Sequence, residues 1–139
     1  MITAVDTNVL LDVFGADKQF GEASREMLRQ CRAEGSLIAC EVVWTELGPS
    51  FPSRQALTDA MAQLGVAFKA MSMEAALKTG EVWKTRQRRG RPRPRVVADF
   101  LIGAHALLQA DRLLTRNRGF YRTYFKELTI LEPNSRQEA

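Results

Sequence analysis

The stretch ITAVDTNVLLDVF, residues 2–14, decides the fold because a predicted strand passes directly into a predicted helix within it. Residues 2–5 form a short apolar run typical of a buried strand, and the pattern after them predicts a short helix capped by Thr7 or Asn8. Asp6 lies at the junction, although an ionised carboxylate costs on the order of several kcal/mol to bury without a partner. Its presence there predicts a functional group.

The same alternation of strand and helix continues along the chain. Further apolar segments predict strands at residues 36–40, 66–71, 112–115 and 128–131. Apolar residues at helical spacing predict helices at residues 20–34, 41–48, 54–64, 73–88 and 96–110. We therefore expect a three-layer α/β/α sandwich with a central, mostly parallel sheet of about five strands. The length of 139 residues predicts a single domain over residues 1–132, followed by a flexible C-terminal tail at 133–139.

Composition places the chain among cytoplasmic proteins without membrane association. No apolar run approaches the roughly 20 residues that a membrane span requires. The N-terminal apolar stretch lacks a basic flank and contains Asp6, which argues against a signal peptide. Cys31 and Cys40 fall in predicted core segments, so we interpret them as reduced thiols.

Positive charge is concentrated in one segment of the chain. The net charge is +4, but the basic belt KTRQRRGRPRPR (Lys84–Arg95) contains seven cations, and subtracting them leaves the remainder at −3. Such a belt indicates an anionic partner, with nucleic acid as the leading candidate, although a solvated loop fits its composition equally well. The segment RNRGFYRTYFK (116–126) adds cations beside aromatic residues. The predicted nucleic-acid-binding residues are Arg88, Arg89, Arg91, Arg93, Arg116 and Arg118.

Three acids lie where a parallel sheet places ligand sites, outside the carboxyl ends of the strands. Asp6 closes the first predicted strand, Glu46 lies in the helix after the second, and Asp99 opens the helix before the fourth. Because carboxylates brought together raise one another's pKa, we expect these three to bind a hard divalent cation, Mg²⁺ or Mn²⁺. Capping or pairing with Arg is the alternative for each acid alone. Gly103, four residues after Asp99, is expected to leave open space beside its carboxylate.

Other chemistries have less support in the sequence. A nucleotide-binding glycine loop is absent, a single histidine (His105) and two separated cysteines argue against zinc, and Ser or Cys nucleophiles lack a placed histidine base. A phosphatase that uses Asp6 as nucleophile, as haloacid-dehalogenase-like phosphatases do, needs a second Asp two residues on. Asn8 occupies that position.

Four segments together resemble the PIN-domain family and, within it, VapC-type toxins. They are VDTNVLLD (5–12), VVWTEL (42–47), VADFLIGAHALLQADRLLTRN (97–117) and GFY (119–121). The resemblance implies a Mg²⁺- or Mn²⁺-dependent endoribonuclease that hydrolyses phosphodiester bonds in RNA. It also implies a homodimer and a small VapB-type antitoxin that blocks the acidic site.

The resemblance assigns residues by position. Asp6, Glu46 and Asp99 match the first three acids of the family. The polar residues Thr7, Asn8 and Thr115 match positions that shape its site. The fourth acid of the family falls at position 117, where this chain has Asn117. We include Asn117 among the catalytic candidates, while a helix-capping role, or a catalytically weak module that binds RNA or a partner, stays open as the alternative.

Overall fold

A computed structural model describes residues 1–88 and 97–133. The described residues form five strands: β1 (Ile2–Val5), β2 (Ser36–Ala39), β3 (Val66–Phe68), β4 (Arg112–Leu114) and β5 (Ile130–Leu131). They also form seven α-helices: α1 (Thr7–Phe14), α2 (Gly21–Ala33), α3 (Glu41–Leu47), α4 (Arg54–Leu64), α5 (Met73–Arg88), α6 (Val97–Gln109) and α7 (Arg118–Tyr124). A short 3-10 helix at Gly48–Ser50 follows α3. The five predicted strands are all present, although most are shorter than the sequence indicated.

The strands form one parallel sheet in the order β3-β2-β1-β4-β5. The central strand β1 pairs with β2 on one side and β4 on the other, so that Ala4 is aligned with both Ile38 and Leu113. The strand order therefore reverses between β1 and β4, and in such sheets ligands bind outside the carboxyl ends of the strands at that point. Asp6 and Thr115 are the first residues after these two strands.

Helices cover both faces of the sheet. Consecutive residues of the central strands are buried, including Ala4 and Val5 in β1 and Leu113 and Leu114 in β4. Since successive residues of a strand point to opposite faces, both faces must be shielded from solvent. The predicted α/β/α sandwich is thereby confirmed.

The cap of α1 differs from the sequence-based expectation. Asp6, rather than Thr7 or Asn8, is the N-cap, and its carboxylate accepts a hydrogen bond from the backbone N–H of Thr7. Asp6 therefore follows the last residue of β1 directly and caps the N-terminus of α1. This double role explains part of how the chain tolerates an acid at this position, because the helix supplies a donor to it.

Gly103 lies at a close contact in α6, and the expectation of open space beside Asp99 was wrong. A Cβ atom at this position would lie 2.4 Å from Cε2 of Phe125, whose ring is buried. The absence of a side chain at Gly103 thus admits an aromatic ring from the segment after α7.

Several predictions concern residues outside this description. They include Arg89, Arg91 and Arg93 of the basic belt, the side chain of Arg88, and residues 134–139 of the predicted tail. Within the described ranges, no helix is both long enough and apolar enough to cross a membrane. Cys31 and Cys40 are buried and not joined in a disulfide, as expected for core thiols.

Candidate metal site

A cavity of about 440 Å³ lies at the carboxyl edge of the sheet, beside the junction of β1 and α1. Its lining residues are Asp6, Thr7, Asn8, Leu11, Glu46 and Asp99. The three predicted acids thus face one cavity, although 40 and 53 residues separate them along the chain.

Asp6 is the most constrained of the three acids. Its carboxylate is 4% exposed, and Oδ1 accepts the backbone N–H of Thr7 at 2.7 Å. Oδ2 accepts the hydroxyl of Thr115 at 2.7 Å and the hydroxyl of Tyr121 at 3.1 Å. Burial raises the pKa of Asp6, and these hydrogen bonds oppose the rise. Oδ1, with fewer donors, keeps the greater free capacity to accept a ligand.

Tyr121 is a site residue that sequence reasoning missed. It lies on α7, is fully buried, and donates to an acid 115 residues earlier in the chain. Burial, followed by the nearby charge of Asp6, raises the pKa of the Tyr121 phenol well above its ordinary value, so the hydroxyl stays a donor. The available signal was a tyrosine in the aromatic segment 116–126, since a phenol that becomes buried requires a hydrogen-bond partner.

Thr7 connects Asp6 to the second acid. The Thr7 hydroxyl donates to Oε1 of Glu46 at 2.5 Å, which brings the last turn of α3 to the start of α1. Glu46 itself is exposed, so its carboxylate reaches the cavity from the solvent side.

Asp99 is the third acid that faces the cavity. It is half-buried in the first turn of α6, and no donor in the described ranges reaches its oxygens. Burial, together with the charges of Asp6 and Glu46, raises the pKa of Asp99 to about 6. At neutral pH the Asp99 carboxylate is therefore ionised although the neighbouring carboxylates repel its charge. A bound cation would relieve this repulsion.

Thr115 and Asn8 join the loop after β4 to the start of α1. Oγ1 of Thr115 accepts the backbone N–H of Asn117 at 2.9 Å while its hydroxyl donates to Asp6. The Asn8 side chain accepts the backbone N–H of Arg116 at 3.1 Å and donates its amide toward Asp6 at 3.4 Å. The Asn8 side chain therefore links Asp6 to the loop after β4 through hydrogen bonds of its amide group. Because Asn8 is not an acid, the phosphatase alternative lacks the second carboxylate that it needs.

Asn117 is exposed and is not among the residues that line the cavity. It occupies the N-cap position of α7, but its side chain makes no capping hydrogen bond. The capping alternative therefore has no support in the geometry, and a contribution of Asn117 to the site stays a prediction.

Arg116 is engaged inside the protein. Its guanidinium makes two hydrogen bonds to the buried carboxylate of Asp12, at 2.7 and 3.0 Å, and its Cζ lies 4.1 Å from the centre of the Phe20 ring. The hydroxyl of Ser24 also donates a hydrogen bond to Oδ2 of Asp12. This geometry does not support the predicted phosphate contact of Arg116, because the guanidinium N–H groups that would bind a phosphate already donate to Asp12. Arg118 is exposed and stays a candidate.

The donor set of the cavity fits a hard cation that keeps much of its water. The lining residues in the part of the chain that the structure describes offer carboxylate, hydroxyl and amide oxygens and include no Lys or Arg. Among the described residues, no group of three or more Asp, Glu, His or Cys side chains is arranged to hold a metal ion directly. Mg²⁺ retains several waters and takes one or two protein carboxylates, so this looser arrangement suits it. His105 is buried elsewhere, and burial lowers its pKa.

Comparison with known proteins gives the following matches. Residues 3–126 match the family model described as PIN domain. A search of the curated proteins found no match. A structure of VapBC2 from Rickettsia felis bound to a promoter DNA fragment shares 16% identity, with a TM-score of 0.75, over 96% of this chain and 100% of that one. A structure of VapBC-1 from nontypeable Haemophilus influenzae shares 20% identity, with a TM-score of 0.68, over 95% of this chain and 98% of that one. A toxin-antitoxin complex from Klebsiella pneumoniae shares 18% identity, with a TM-score of 0.62, over 96% of this chain and 98% of that one. At these identities the solved structures establish the fold.

Proposed function

The chain belongs to the PIN-domain family, and from this premise we propose that it is a Mg²⁺- or Mn²⁺-dependent endoribonuclease and the toxin of a VapC-type toxin–antitoxin pair. One observation carries the proposal: Asp6, Glu46 and Asp99 face a single cavity, and none of its lining residues within the described ranges is cationic. The fold is shared with structures described as VapBC and toxin-antitoxin complexes, which supports the proposed role as the toxin of such a pair.

The proposed reaction is hydrolysis of an RNA phosphodiester by water. Asp6, Glu46 and Asp99 would hold the divalent ion, directly or through its retained waters, and the bound ion would supply Lewis-acid activation of water and offset negative charge on the phosphate. Thr115 and Tyr121 hold Oδ2 of Asp6, which fixes the orientation of the carboxylate and leaves Oδ1 with the greater free capacity to bind an ion. Thr7 positions Glu46 through its 2.5 Å hydrogen bond. The protein thus contributes pre-organised carboxylates at the edge of the sheet.

The proposed partners follow from the charge of the cavity. Exposed and half-buried carboxylates at one edge offer a charge-assisted hydrogen bond to an Arg or Lys of an antitoxin, and such a side chain would occupy the place of the metal ion. We further propose that the protein is a homodimer.

Expression of the protein without an antitoxin is expected to stop growth of the host, and Asp6→Asn is expected to restore it. The amide keeps the shape of the side chain but removes the charge that the proposed ion requires. Growth curves at matched protein levels test this, with Asp59→Asn as the control because Asp59 is on α4, which contributes nothing to the cavity. Equal growth of cells producing wild-type and Asp6→Asn protein would argue against a toxin.

Tyr121→Phe is expected to weaken Mn²⁺ binding by about tenfold, the size typical of removing a side chain that orients a metal ligand. The substitution deletes only the hydroxyl that donates to Asp6. Tyr124→Phe is the matched control, since this tyrosine lies on the same helix but its hydroxyl contacts Arg86 at 3.2 Å. Calorimetric titration measures both. If the two variants bound Mn²⁺ as tightly as wild type, Tyr121 would have no part in the site.

Asn117→Asp is expected to tighten Mn²⁺ binding by about threefold, whereas Asn117→Ala should change it little. The added charge is attractive, but position 117 is exposed and water screens the interaction. The same titration measures these variants. Unchanged affinity in Asn117→Asp would place this residue outside the site and remove the feature that favours a catalytically weak binding module.

A further inference from the structure

A second cavity, of about 380 Å³, lies between α7 and β5. Its lining residues are Arg118, Arg122, Phe125, Lys126, Leu128 and Ile130. The three cations are exposed, whereas Phe125 and Leu128 are buried and provide an apolar floor. Within the described part of the chain, none of the lining residues is acidic. The cavity thus combines a cationic rim with an apolar base, a combination suited to an anion that also has an apolar part.

Helix α7 connects this cationic cavity with the acidic cavity. The helix begins directly after Asn117, Arg118 is its first residue, and Tyr121 on the same helix donates to Asp6 of the acidic cavity. Helix α7 therefore supports the carboxylate of Asp6 and also presents Arg118 and Arg122 to the cationic cavity. Arg118 precedes Tyr121 by less than one turn of the helix.

The ion pair between Arg118 and Glu132 at the rim is weak. Arg118 lies 3.5 Å from Glu132, and both side chains are more than a third exposed. Such pairs contribute little free energy in water, so a phosphate can replace the carboxylate at small cost.

We propose that this cavity binds a nucleotide of the single-stranded RNA segment adjacent to the cleaved phosphodiester, with Arg118, Arg122 and Lys126 holding its phosphate. The inference rests on the proposed nuclease function. RNA is favoured over an acidic protein segment because the proposed nuclease must bring RNA to the neighbouring carboxylates. These carboxylates repel a polyanion, so the bound strand needs cations close by. The apolar floor suits a sugar or base edge better than a run of carboxylates.

The chain contains a matched control for this surface. Another cationic cavity, of about 310 Å³, is lined by Arg25, Leu28, Arg29, Arg32, Gln63 and Leu64. These residues belong to α2 and α4, neither of which lines the acidic cavity. Removing two cations from either surface changes the net charge of the protein equally.

The test measures binding of a short, labelled single-stranded RNA of mixed sequence to the full chain in EDTA, where the proposed cleavage does not occur. Anisotropy titrations over a series of salt concentrations compare wild type with Arg122→Ser/Lys126→Ser and with the control Arg25→Ser/Arg29→Ser. The first double variant should bind about tenfold more weakly, and its slope of log affinity against log salt should fall by about 1.4, or 0.7 for each lost contact with a single strand. The control should keep the wild-type slope.

Three results would overturn the inference: equal losses in both double variants, no loss in Arg122→Ser/Lys126→Ser, or loss of binding to a polyglutamate peptide rather than to RNA. The last result would assign the cavity to an acidic protein segment. Thermal melts of both variants guard against unfolding. The nuclease proposal is tested separately, because wild-type protein that failed to cleave RNA with Mn²⁺ would contradict it whatever the binding data gave.

Discussion

Asp99→Asn protein is expected to cleave RNA at least about 100-fold more slowly than wild type at saturating Mn²⁺. The substitution removes one of three carboxylates that face the cavity, and the loss of charge stabilisation at such a site costs several kcal/mol, with about 1.4 kcal/mol for each tenfold change in rate. Initial rates on a structured RNA measure the effect. Asp59→Asn, the same chemical change on the exposed face of α4, should leave the rate unchanged. Cleavage by folded Asp99→Asn protein at the wild-type rate would contradict the site assignment.

The same substitution is expected to stabilise the metal-free protein at neutral pH. The pKa of Asp99 rises from 3.8 to about 6 on folding, so the folded state binds this proton more tightly than the unfolded state. The resulting penalty is absent below about pH 4 and complete above about pH 6. Allowing for solvent screening of a half-buried group, Asp99→Asn should recover about 1–2 kcal/mol at pH 7.5.

Thermal melts in EDTA at two pH values test this sign. The melting temperature of Asp99→Asn should exceed that of wild type by a few degrees at pH 7.5, roughly as 1–2 kcal/mol implies for a domain of this size, and the gain should shrink at pH 4.5. An equal gain at both pH values would show that the carboxylate is not destabilising in the way its surroundings indicate.

Gly103→Ala is expected to destabilise the protein by about 2 kcal/mol, the typical cost of overpacking a core. The new methyl group would lie 2.4 Å from the buried ring of Phe125. Gly80→Ala is the matched control: Gly80 is also helical, but a Cβ there meets nothing within 4 Å, so Ala should stabilise by up to about 1 kcal/mol through helix propensity.

Urea unfolding measures both glycine variants. Phe125→Leu should be less damaging in the Gly103→Ala background than in wild type, because the smaller side chain relieves the contact. If Gly103→Ala and Gly80→Ala changed the free energy of unfolding by the same amount, the contact between Gly103 and Phe125 would not limit the packing.

The sequence indicated the sheet because its signals are local. Short apolar runs ended by polar residues define β1 and β4, and their alternation with helices leaves a parallel sheet as the simple solution. In that topology, Asp6 at the end of β1 and Asp99 at the start of α6 reach one edge, so the shared cavity could be anticipated without any contact being known.

The supporting contacts could not be anticipated because they join distant parts of the chain. Tyr121 donates to Asp6 across 115 residues, and Arg116 pairs with Asp12 across 104 residues. No periodicity or spacing connects such pairs. Gly103 shows the same limit, because an open helix face and a face filled by an aromatic ring give the same sequence pattern.

Cleavage of structured RNAs by the purified wild-type protein, compared in Mn²⁺, in Mg²⁺ and in EDTA, tests the proposed function most directly. The three carboxylates that face one cavity are proposed to act only with a divalent ion bound. We expect defined cleavage products with Mn²⁺ or Mg²⁺ and intact RNA in EDTA. Intact RNA under all three conditions, or cleavage that persists in EDTA, would contradict a metal-dependent ribonuclease.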